Sequence, residues 1–141
     1  MDYLQSFAIS AAGMTAERTR VEVSALNLAN ANTVLEAGSG YRPLRVVAQA
    51  MVATGGFDSL VGRGLAGPSV RVEPLNHAPR LVLEPGHPMA DTAGFVSYPA
   101  VDVTSEMVSM MAAARAYEAN VAAMNAVRSV AMKTLDIGSG A

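Results

Sequence analysis

Residues 103–138 read "VTSEMVSMMAAARAYEANVAAMNAVRSVAMKTLDIG", and they decide the fold. No proline interrupts them, and Val103, Met107, Met110, Ala114, Tyr117, Val121, Met124, Arg128, Ala131 and Leu135 recur in alternating steps of four and three. That rhythm holds one stripe on one helical face and is the heptad seam of a coiled coil, broken only at Arg128. Asp102 or Thr104 can cap the amino end, and Glu106 stands in the first turn, where the helix dipole favours a carboxylate. Gly138, just past the last periodic residue, is the expected C-cap, with Lys133 in the final turns.

The amino-terminal end repeats the pattern. Between Asp2 and Asn32 there is no proline and a single glycine, Gly13. Leu4, Phe7, Ala11, Met14, Arg18, Val21, Ala25, Leu28 and Asn32 predict a second seam, broken at Arg18 and Asn32. Its last turns, "SALNLANANT" (24–33), carry three asparagines, each costing a helix several tenths of a kcal/mol against alanine. On a helical wheel Ser24, Asn27 and Asn30 fall within about 120° of one another, beside Ala25 and Leu28. Asn32 and Thr33 then close the helix. Among packed apolar helices such a polar band can supply hydrogen bonds that fix register, at some cost in stability.

Both helices also carry apolar residues off the seam: Ile9, Ala12, Val23 and Leu26 in the first, Val108, Met111, Val127 and Val130 in the second. One partner helix hides one stripe. Burying each such side chain is worth about 1.5–3 kcal/mol, so a second stripe calls for neighbours that one chain of 141 residues does not supply. Five of the nine methionines lie between Met107 and Met132, and methionine packs adaptably against irregular partners. The mean hydropathy of +0.28, with no tryptophan, points the same way.

All seven prolines fall in the middle, about Val34 to Val101. "LRVVAQAMV", "SVRVEP", "RLVLEP" and "GFVSYP" are strand candidates, and in the second Val70 and Val72 alternate with Arg71 and Glu73. The glycine-rich run from Ala53 to Ser69 reads as a mobile loop. The expected organisation is a helical pair made of 1–33 and 103–138 around a strand-and-loop region at 34–102, a mainly α fold with a small β part.

Composition excludes several function classes. A net charge of −2, with ten scattered Lys and Arg, makes nucleic-acid binding unexpected. There is no cysteine, hence no disulfide, thiolate metal site or cysteine nucleophile. No apolar run nears the ~20 residues of a membrane-spanning helix, and "MDYLQSFAIS" lacks the basic and apolar regions of a cleavable leader. Gly62, Gly64 and Gly67 spell G-x-G-x-x-G, but Pro68 and a strand-like segment follow where dinucleotide binding needs a helix, so the reading is a loop. Glu84, His87 and Asp91 lie close in sequence, yet prolines at 85 and 88 favour a turn over a metal site. No catalytic residue, cofactor or metal ligand is expected.

"GMTAERTRVEVSALNLANANT" followed by "YRP" resembles the amino-terminal signature of the bacterial flagellar rod and hook proteins. The core positions are Ser24, Asn27, Ala29, Asn30, Thr33, Tyr41 and Arg42. "RAYEANVAAMNAVRSVAMKTLDIG" is similar to the carboxy-terminal helix of that family, and "PGHPMADTAGFVSYPAVDVTSEMV" to its proximal-rod members. The resemblance implies a non-enzymatic subunit of the flagellar rod in the basal body, exported by the flagellar type III apparatus without cleavage. It also implies paired terminal helices lining a tube. The implied partners are copies of the same chain, other rod proteins and the adaptor joining rod to MS ring, without membrane insertion. Together the heptads and the resemblance single out an assembly interface: Ser24, Asn27, Leu28, Asn30, Asn32, Thr33, Tyr41, Met107, Met111, Tyr117, Asn120, Val121, Met124, Asn125 and Leu135. Another short rod protein of the family, a cytoplasmic coiled-coil adaptor, or a small enzyme using Glu84, His87 and Asp91 are the alternatives.

Overall fold

The computed structural model describes residues 3–36, 40–49 and 69–139. In chain order these form helix α1 (Tyr3–Asn30), strands β1 (Leu44–Gln49), β2 (Ser69–Pro74), β3 (Arg80–Leu83) and β4 (Phe95–Tyr98), and helix α2 (Val103–Ser139). The fold is mainly helical with a small β region, and each of the four strand candidates contains a strand. Residues 53–68 of the glycine-rich run, its G-x-G-x-x-G among them, lie outside the described residues, and Ser69 at its end opens β2.

The helix ends follow from local chemistry. Asp102 caps α2: its Oδ1 accepts from the backbone N–H of Thr104 (3.0 Å) and of Ser105 (3.4 Å), and its carbonyl accepts from Glu106 N–H. At the far end α2 runs through Gly138, the expected cap, to Ser139. Helix α1 stops at Asn30, two residues before Asn32. Its last turn tightens, with Ala31 N–H donating to Leu28 and Thr33 N–H to Asn30. At 28 and 37 residues, the helices are about 42 and 55 Å long at ~1.5 Å per residue.

The chain divides into two compact units, and both helices contribute to each. One holds α1 up to Thr19 and α2 from Ala112, together with the last residues of β1 and the first of β2. Here Gly13 lies against Asn120: a Cβ added at residue 13 would stand 2.9 Å from the Asn120 Oδ1. That closeness explains a glycine in mid-helix, where it costs about 1 kcal/mol against alanine. Ala16 and Ala113 are buried.

The other unit holds α1 from Arg20, most of the β region and the start of α2. Strands β3 and β4 pair antiparallel, Arg80 opposite Tyr98 and Leu83 opposite Phe95. Alternation puts Val82 and Val96 on one face, where Val96 is fully buried, and Leu81 and Leu83 on the other, where both are exposed. Arg80 stacks over the Tyr98 ring, and Leu35 N–H donates to the Ser97 carbonyl. Strand β1 pairs with β2; Leu75 N–H donates to the Pro43 carbonyl and Arg45 forms an ion pair with Glu73 at 3.2 Å. The start of β1 therefore meets the end of β2, as in an antiparallel pair. The alternation expected of "SVRVEP" is only partly kept, because Val72 is exposed while Glu73, held by Arg45, is half-buried.

The seams differ in phase from the heptads read off the sequence. In α1 and the turn after it Ala16, Val23, Ser24, Asn27 and Ala31 are buried, Phe7, Met14, Val21 and Leu28 of the heptad are half-buried, and Ala11, Arg18, Ala25 and Asn32 are exposed. In α2 Glu106, Ser109, Ala113, Ala116, Asn120 and Val127 are covered along with Met110, Val121, Met124 and Ala131 of the heptad, while Met107, Ala114, Arg128 and Leu135 are exposed. The intrachain contact is turned roughly one position back near the end of α1 and in the first half of α2, and farther along α2 it keeps the heptad positions Val121, Met124 and Ala131. The small residues Gly13, Ala16 and Ala113 lie on the covered faces, where close packing favours them, while the bulkier Met107 and Met111 stay outside.

Candidate functional site

The candidate site is built around Asn27, whose side chain is fully buried (0% exposed) near the end of α1. An amide offers two donors and one oxygen with two lone pairs, and a buried one is stable only when these are satisfied. All are. Nδ2 donates to the Leu44 carbonyl at 2.8 Å and to Glu106 Oε1 at 2.7 Å. Oδ1 accepts from Leu44 N–H at 2.8 Å and from the Tyr41 hydroxyl at 2.7 Å.

Leu44 opens β1, and both its backbone polar groups point to the edge opposite β2. The Asn27 amide takes the place there of a neighbouring strand, closing an edge that would otherwise be open to pairing. Because Leu44 presents one donor and one acceptor, it also fixes which way round the amide lies. Tyr41 reaches Asn27 because "YRP" holds the chain extended, proline disfavouring a helix at the residue before it. Glu106 reaches it from the first turn of α2, positioned by the Asp102 cap. Burial, and secondarily the negative charge of Glu106, raise the Tyr41 phenol above its ordinary pKa of 10.0.

The other residues singled out from sequence fall into three groups. Ser24 is buried with Asn27, inside the intrachain contact. Leu28, Asn30, Tyr41, Asn120, Val121 and Met124 are half-buried. Asn32, Thr33, Met107, Met111, Tyr117, Asn125 and Leu135 are exposed in the single chain. Asn30 and Asn120 turn their amides back onto their own helices, to the carbonyls of Leu26 (2.8 Å) and Ala116 (3.0 Å). The two amides of the band thus do different work: Asn30 bonds its own helix, and Asn27 joins elements distant in sequence. Glu106 was read as a dipole residue; no local signal announces a partner 79 positions away.

Glu84, His87 and Asp91 are engaged in the β3–β4 connection. Asp91 Oδ1 accepts from the N–H groups of Ala93 and Phe95, both at 2.8 Å. His87 Nδ1 accepts from Met89 N–H, and Glu84 Oε2 from the Tyr98 hydroxyl at 3.1 Å. Gly94, at φ +82°, turns the chain into β4. The His87 and Asp91 side chains thus do the turn-forming work read from the prolines, and the Glu84 side chain ties the start of the turn to Tyr98 of β4. Among the described residues no helix is long and apolar enough to cross a membrane.

Residues 92–137 match the family described as flagellar basal body rod FlgEFG protein C-terminal. Over its whole length the chain is similar to the flagellar basal-body rod protein FlgC of several bacteria. It is 40% identical to that of Salmonella typhimurium over 140 residues, covering 98% of this chain and 99% of the relative. Against the Bacillus subtilis protein the identity is 36% over 149 residues, with the same coverage. Against that of Aquifex aeolicus it is 32% over 141 residues, covering 96% and 97%.

Proposed function

Since this chain belongs to the family of the flagellar basal-body rod protein FlgC, we propose that it builds the rod of the bacterial flagellum as a structural subunit. The observation that carries this is likeness to FlgC from end to end, both terminal helices and the middle included. Neither another short rod protein nor a cytoplasmic adaptor accounts as well for a match of that extent.

The subunit's work is mechanical: it transmits torque across the periplasm by staying packed against its neighbours, and no catalytic step is invoked. Polymerisation runs through the terminal helices. In support, the single chain leaves Met107, Val108, Met111, Val130, Leu135 and Ile137 exposed along α2, Leu135 at 68% and Ile137 at 79%. Large apolar side chains exposed in that number mark surfaces that other chains cover. A head-to-tail contact that does not close yields an open helical assembly, and obligate contacts of this kind bury more than ~2,000 Å². The partners are copies of this chain, other rod proteins and the MS-ring adaptor, after passage through the type III export apparatus.

A deletion strain tests the reading. Loss of motility, with basal bodies stalled before rod completion and rescue by the intact gene, is the expected result; normal filaments in the deletion strain would refute it.

A further inference from the structure

We propose that Asn27 is a latch that makes the docking of β1 and the seating of the α2 amino end a single cooperative event. The four bonds of one buried amide go to three places: the Leu44 backbone, the Tyr41 hydroxyl and the Glu106 carboxylate. Among the described residues no hydrogen bond joins any two of those three groups; apart from the charge of Glu106 acting on the Tyr41 phenol, their connection runs through Asn27. If Glu106 withdraws, a buried N–H loses its acceptor, and the amide regains water only by leaving its position against Leu44. If the Tyr41–Leu44 segment withdraws, Oδ1 and the other N–H are stranded together. Partial opening therefore carries the cost of an unsatisfied buried amide, and the open states that remain are those in which both arms are released. Two sites coupled through one two-state element influence each other reciprocally.

The latch accounts for an otherwise weak piece of structure. A two-stranded sheet is marginal alone, and β1 has on its other edge at Leu44 only this amide. It also predicts communication between elements that share no direct hydrogen bond among the described residues. Glu106 does not bond β1, and Tyr41 does not bond α2.

Hydrogen exchange on the full-length chain, read by mass spectrometry of peptides, tests this. In Glu106→Ala the Leu44–Val47 amides, which the substitution does not touch, exchange about tenfold faster. In Tyr41→Phe the Met107–Met110 amides of α2 do so by a similar factor. Glu106→Gln, which keeps an acceptor for Asn27, restores β1 protection to within about threefold of the parent. The Val82 and Val96 amides of the β3–β4 hairpin serve as reference, because that hairpin makes no bond to Asn27. Effects confined to the element carrying each substitution would overturn the latch. So would an equal rise at Val82 and Val96, since the coupling would then be global unfolding.

Discussion

Asn27 grips both backbone polar groups of Leu44, with Nδ2 2.8 Å from its carbonyl oxygen and Oδ1 2.8 Å from its amide nitrogen. A side chain on a helix thereby stands in for a strand neighbour. Asn27→Leu raises helix propensity slightly but strands the Leu44 groups, the Tyr41 hydroxyl and the Glu106 carboxylate. The expected loss is about 3 kcal/mol in chemical denaturation, with helical circular dichroism retained and rod assembly impaired. Asn30→Leu, which removes only a bond within α1, changes stability by less than about 0.5 kcal/mol. Equal effects of the two substitutions would contradict the site's geometry.

The Tyr41 phenol is raised above 10.0 by burial and then by Glu106, and its neutral form donates to Asn27. A folded value above the unfolded one contributes stability that is complete below the unfolded value and disappears as pH rises through the folded one. Stability is therefore expected to fall more steeply above pH 10.0 in the parent than in Tyr41→Phe. Glu106→Gln removes the second cause and brings the Tyr41 titration, followed by ultraviolet difference absorbance, down toward the ordinary value. An unchanged titration in that variant would exclude the charge of Glu106 as a cause.

Gly13→Ala would place a methyl 2.9 Å from Asn120 Oδ1, an amide already committed to the Ala116 carbonyl. The propensity gain of about 1 kcal/mol is outweighed by the displacement, for a net loss of about 1 kcal/mol. In an Asn120→Ala background the sign reverses, because the obstacle is gone and the propensity gain remains. A double-mutant cycle in urea measures the difference, and simple additivity would show that the approach of Gly13 to Asn120 carries no energy.

Met111→Glu and Leu135→Glu probe the faces that the single chain leaves open, where Met111 is 60% exposed. Both substitutions sit on a helix and keep a good helix former, so monomer stability should move by less than about 0.5 kcal/mol. Motility in soft agar is expected to be lost, because a carboxylate buried between subunits has no partner. Full motility would remove these residues from the assembly interface.

By itself the sequence determined the elements. The proline-free, nearly glycine-free ends could only be long helices, and the prolines at 74, 85 and 99 closed strands near where the chain closes them. Asp102 as a cap and the turn chemistry of Asp91 were equally local, since their partners lie within four residues. The phase of the helix contact was not local. Apolar residues occupy more than one stripe of each helix, so periodicity admits several faces, and packing in the folded chain covered those that carry Gly13, Ala16 and Ala113. The role of Asn27 was decided at still longer range, by groups 14, 17 and 79 positions away. A helical wheel places Asn27 beside Ser24 and Asn30, but only the folded chain sets one of these three polar side chains against a strand edge and a carboxylate. There the desolvated amide holds all its hydrogen bonds, while the Asn30 amide stays on its own helix.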